Sequence, residues 1–188
     1  RPFATASSTT LHAPSCSSPQ TQRRNIKADR VSASISLGGS ISAAAYAELA
    51  DIIASEGLSL DWNGACFTPA QRVIGAPLCL CAHEVAGGCF EDLEAWCVEN
   101  KTPFTRWSGG YAGQWGPERV VFTGDGEPKS YAADEDDDIV IARETVERLG
   151  SFEAIIAHFD AAAFERAVAR YHQRDIARAE EGFQACQR

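Results

Sequence analysis

The sequence predicts an α+β fold in which an antiparallel sheet carries two helices on one face. Three observations lead there. Apolar residues alternate with serines over 31–37, the two-residue period of a strand with one buried side. Immediately beyond it, Ile41, Ala45, Leu49, Ile52 and Ile53 recur at helical spacing. A second strand-then-helix pair reads out of 78–100, so the chain builds two apolar strand faces and two apolar helix stripes that must cover each other.

Residues 1–29 form a tail rich in Ser, Thr, Pro and Arg, without periodic apolar positions. It is expected to be disordered or foreign to the folded domain, with an organelle transit peptide as the other reading. The domain proper is expected over 30–172. Val31, Ala33, Ile35 and Leu37 face its core, and Ser32, Ser34 and Ser36 face away. Gly38-Gly39 breaks the strand, Ser40 or Ser42 caps the helix that follows, and Gly57 ends it in a left-handed conformation. Leu58, Leu60 and Trp62 alternate with Ser59 and Asp61 and predict a second strand, stopped by Asn63-Gly64. A long connection over 65–77 contains Pro69, Gly75 and Pro77.

The third strand spans 78–85. Leu78, Leu80 and Ala82 are expected on one side, and Cys79, Cys81, His83 and Val85 on the other. Gly87-Gly88 ends it. A helix over 89–100 carries Glu91, Asp92 and Glu94 in its first turns, where the helix dipole favours acids, and Phe90, Leu93, Trp96 and Cys97 as its apolar stripe. A fourth strand follows over 104–107. Strand, helix, strand, strand, helix, strand is the split βαβ, or ferredoxin-like, order. A β-hairpin extension is expected from 119–123 pairing with 139–141. Helices are expected from Arg143, interrupted and capped again at Gly150-Ser151, and continuing past Asp160 with Phe164, Val168 and Tyr171. Residues 173–188 form a charged helical tail.

The chain of 188 residues has a net charge of −9, unevenly spread. Residues 1–28 hold four basic side chains and no acidic one, leaving −13 on the remainder. An acidic body argues against direct binding of nucleic acid or an anionic membrane. No apolar run reaches the roughly 20 residues of a membrane helix. Seven cysteines leave one unpaired in any internal disulfide scheme, and four lie over 79–97 in strand and helix. That distribution suggests reduced thiols in the cytoplasm.

Three groups could carry chemistry. Cys79, Cys81, His83 and Cys89 supply three thiols and an imidazole, a donor set zinc accepts. Alternate strand residues, however, stand about 6–7 Å apart, wide for ligands on one ion, and buried apolar thiols are the plainer reading. His83 could act as a base with Asp61, although no nucleophile elbow, phosphate loop or zincin motif accompanies it. Trp107, Tyr111 and Trp115, spaced by glycines and flanked by Arg106 and Arg119, have the residue types that anchor protein interfaces. The acidic run at 134–138 does not match a calcium loop and reads as solvated. Together these point to a non-enzymatic protein-interaction or regulatory domain, without a cofactor, meeting a protein partner that could be basic. Two alternatives stay open: a metal- or thiol-dependent protein using Cys79, Cys81, His83 and Cys89, and an acidic mimic of nucleic acid.

Overall fold

In the computed structural model, which describes residues 29–163, the alternating serine segment is strand β1 (Arg30–Leu37). Val31, Ala33, Ile35 and Leu37 are buried, and the serines between them are half-exposed. Ser42 caps helix α1 (Ala43–Glu56), its Oγ accepting the Ala45 N–H at 3.2 Å. Gly57 ends the helix at φ +68°. Leu49 and Ile53 of α1 bury against Ala33, Ile35 and Leu37.

Strand β2 (Leu78–Ala86) and strand β3 (Phe104–Ser108) flank β1, both antiparallel to it. Helix α2 (Glu91–Glu99) joins them and buries Leu93, Trp96 and Cys97 in the same core as α1, so both helices lie on the Ala33–Ile35–Leu37 side. The two helices also hold each other. Glu56, the last residue of α1, accepts the Leu93 N–H through Oε1 at 3.1 Å, supplying an acceptor to the exposed amides at the start of α2.

Strand β4 (Glu118–Phe122) and strand β5 (Lys129–Ala132) extend the sheet beyond β3, giving five antiparallel strands in the order β2-β1-β3-β4-β5. Helix α3 (Arg143–Leu149) ends at Gly150, and Ser151 caps helix α4 (Phe152–Ala162), its Oγ accepting the Ala154 N–H at 3.1 Å. Val121, Tyr131 and Ala162 form a small second core on the sheet face away from α1 and α2. Strand β4 therefore feeds both cores, Val120 and Phe122 on the α1–α2 side and Val121 on the other, while the outer face of β1 and β2 carries no helix among the described residues.

Three expectations need correction. The segment 58–62 is not a full strand. Only Ser59 pairs, exchanging both backbone hydrogen bonds with Cys81 on the free edge of β2. Leu58 dips into the core and Asp61 starts a turn closed by the Gly64 N–H, which ends the pairing after one residue. The βαββαβ order is thus not realised as predicted. The hairpin partner of β4 is β5, and Ile139 makes a single bridge to Ala133. Finally, Val85 lies in the helix-side core and not with the cysteines. An extra residue in β2, where Val31 pairs with Val85 but Ala33 with Ala82, resets the alternation, and Glu84 takes φ +58° to make the bulge. The tails at 1–28 and 173–188 and the helix expected after Ala163 fall outside the described residues.

Candidate functional site

Strand alternation fixes what the uncovered face displays. Ser34 pairs with Cys81 on one side and Trp107 on the other, and Ser36 with Cys79 and Thr105, so these side chains share the face away from α1 and α2. The register of Ala33 with Ala82 continues to set His83 opposite Ser32 before the bulge at Glu84, and Ser32 Oγ lies 2.9 Å from His83 Nδ1. With Ser59 fastened to the edge of β2, the following turn carries Trp62 back over this face. Its ring lies 5.1 Å from that of His83 and meets Trp107 edge-on at 6.4 Å.

The opposite wall is the acidic run, and it is not a merely solvated loop. Asp134 Oδ1 accepts the N–H groups of Asp136 and Asp138 at 3.0 and 2.9 Å. The Asp134 N–H closes the turn on Asp138 O. The Trp107 indole donates to Asp134 O at 2.9 Å, anchoring the loop to β3. Arg119, cross-strand from Trp107, holds the far side through Nε to Asp137 Oδ1 at 2.8 Å and through a second bond to Asp137 O. A run of five acids thereby becomes a fixed rim.

Between Trp62 and this rim lies an open hollow of about 400 Å³. Ser32, Ser34 and Trp107 line its floor, with His83 and Trp62 on one side and Glu135, Asp136 and Asp137 on the other. Among the described residues no Lys or Arg lines it. Asp137 is committed to Arg119, and Glu135 receives one long bond, 3.4 Å, from the Gly110 N–H. The Asp136 carboxylate has no hydrogen-bond or ion-pair partner among the described residues. Hydroxyls, carboxylates and indole faces all favour a cationic guest. A larger cleft lies between α4 and the β4–β5 turn, lined by Val121, Tyr131, Lys129 and Asp160 among others.

The residues singled out from sequence are only partly brought together. Trp107 and Arg119 belong to the floor and outer brace of the hollow. Tyr111 and Trp115 stack on each other at 5.3 Å within their own loop. Arg106 is removed from any binding surface, a correction that alternation explains: its neighbour Trp107 faces the hollow, so Arg106 must face the helices. There it is 2% exposed, with Nε 2.9 Å from Glu94 Oε1 and its other nitrogens bonded to Glu118 Oε1 at 2.7 Å and Ser108 Oγ at 2.9 Å. Burial works against the Arg106 charge, but the two carboxylates outweigh it and hold its pKa above the ordinary value. Burial also pushes Glu94 up, further than Arg106 can draw it down. Burial raises Glu118 as well, but the bonds from Arg106 and Ser130 win and leave it below the usual range.

Cys79, Cys81 and His83 share the open face, but Cys89 does not join them. Its charged neighbours are Arg106, Glu94, Glu118 and Glu91, on the helix side. Cys79 Sγ accepts from Ser36 Oγ at 3.2 Å, and Cys81 is buried beneath Ser59. Among the described residues, no group of three or more His, Cys, Asp and Glu side chains could hold a metal ion. Nor does a hydrogen bond join Asp61 to His83 there; the Trp62 ring lies against His83 instead.

Sequence reasoning missed Trp62, Ser32, Ser34, Glu135 and Asp136 as members of one site. The serine period was a visible signal that a polar face existed. What faces it comes from residues about 30 and 100 positions along the chain. Among the described residues no helix is long and apolar enough to cross a membrane. Compared with family models, with curated proteins and with solved structures, the chain finds no match.

Proposed function

We propose that this chain is a non-catalytic interaction domain that receives a basic segment of a partner protein on the uncovered sheet face. One observation carries the reading: indoles, serine hydroxyls and a carboxylate uncommitted among the described residues converge on one hollow that none of their basic side chains fills. The acidic body adds long-range attraction for such a segment. In this reading β1, β2 and β3 are the remnant of a ferredoxin-like sheet whose second strand has shrunk to Ser59. The shrinkage releases the following turn, which carries Trp62 across the face.

Titrating the full chain with a short Lys/Arg peptide, followed by tryptophan emission and calorimetry, tests the proposal. Binding should weaken as salt is raised from 50 to 500 mM, because exposed carboxylates are screened. An Asp/Glu peptide of equal length should not bind. Trp62→Ala should weaken the basic peptide about tenfold, the scale of a cation–π contact of up to about 2 kcal/mol. Trp62 is 39% exposed, so its removal spares the core. No change in emission or heat at millimolar peptide would remove the proposal.

A further inference from the structure

Resting on that reading, we infer that the hollow is built for arginine, taking one guanidinium of the partner against Trp62 with its fork on Asp136 and Glu135. Three features favour a guanidinium over an ammonium. The acceptors occupy two different surfaces, the Ser32 and Ser34 hydroxyls on the floor and the carboxylates on the rim. An ammonium is a compact point charge with three donors, whereas a guanidinium carries five donors around a plane and can address both surfaces together. The exposed Trp62 ring offers a flat face, on which a planar cation stacks. The rim also shows the same chemistry on its outer side. Arg119 of this chain binds the loop through two nitrogens, one to the Asp137 carboxylate and one to its carbonyl. That brace uses Asp137, fixes the loop, and leaves Asp136 and Glu135 turned to the hollow.

The test uses three peptides identical except at one position, which is arginine, lysine or citrulline, each titrated into the full chain. Citrulline keeps the shape of arginine without its charge. The arginine peptide should bind about tenfold more tightly than the lysine peptide, and the citrulline peptide should fall below detection. Asp136→Asn should cancel the arginine preference, and Trp62→Ala should weaken the arginine peptide; both positions are exposed, and unchanged melting curves confirm folding. Equal affinity for lysine and arginine overturns the arginine assignment while leaving the basic-partner reading standing. Failure of every peptide, with the parent chain and with Arg23→Gln/Arg24→Gln alike, removes both. Arginine binding untouched by either substitution places the contact elsewhere and overturns the inference. Binding that appears only after Arg23→Gln and Arg24→Gln would give the hollow to the chain's own arginines in place of a partner's.

Discussion

Arg106 shows what one buried charge asks of its neighbours. Its guanidinium reaches Glu94 on α2, Glu118 on β4 and Ser108 on its own strand, and Glu118 in turn accepts from Ser130 on β5 at 2.8 Å. Arg106→Met should cost about 3 kcal/mol in urea unfolding at pH 7, the low end for breaking a buried pair, because Glu118 reaches solvent and can rehydrate. Adding Glu94→Leu should recover part of that loss by removing the stranded carboxylate. The pH profile follows from the lowered pKa of Glu118. Its contribution is complete above the unfolded value of about 4.3 and disappears as pH falls through the lower folded value. Melting temperature should therefore drop less steeply below pH 4.3 in Glu118→Gln than in the parent chain. The thiols separate along the same lines. Burial, with Glu94 and Glu56 nearby, pushes Cys97 up to about 12, whereas Cys66 and Cys79 are exposed. Peptide mapping after brief alkylation at pH 8 should find Cys66 and Cys79 modified and Cys81 and Cys97 untouched until the chain unfolds.

Elements were legible wherever their cause lies within a few residues. Alternation gave β1, a serine and a glycine bounded α1, and Gly150-Ser151 divided α3 from α4. The failures occurred where a distant contact overrode a local pattern. Leu58-Ser59-Leu60 alternates as a strand should, yet Ser59 alone pairs, held to Cys81 on the edge of β2, before Asp61 starts a turn closed by the Gly64 N–H. The turn between β2 and α2 depends on both kinds of information. Gly88 adopts φ +70°, and a Cβ there would lie 2.6 Å from Ser108 Cβ. Gly88→Ala should cost about 2–4 kcal/mol, combining backbone strain with overpacking against β3. Thermal unfolding would measure it, and in a Ser108→Gly background, which has already lost the Arg106 bond, Gly88→Ala should cost only the strain part.

The molecule as a whole is a sheet treated differently at its two ends. Strand β1 is paired on both sides, by β2 and β3, and lies beneath both α1 and α2, whereas β5 is a four-residue edge strand. Amide exchange should follow that arrangement, with Ile35 and Leu37 slowest and Ser130 and Ala132 among the fastest of the strand amides. Similar exchange rates in β1 and β5 would contradict a core centred on β1. The same asymmetry explains why the hollow exists. The small core of Val121, Tyr131 and Ala162 occupies the outer face beside β5. Only the β1–β2 half is left for Trp62 and the acidic rim to enclose.

Composition, alternation and capping residues were enough to establish an acidic α+β chain, its first helix, its serine-bearing polar face and the burial of Ile35, Leu37, Leu49 and Ile53. Those properties arise from contacts within about four residues or from the period of the backbone itself. Folding in three dimensions settled which polar groups meet. The antiparallel register sets His83 opposite Ser32, Ser59 delivers Trp62 from the sheet edge, and Trp107 with Arg119 turns five consecutive acids into a wall. Each of these juxtapositions joins residues 18 to 51 positions apart, and no pattern of neighbouring residues encodes such a distance.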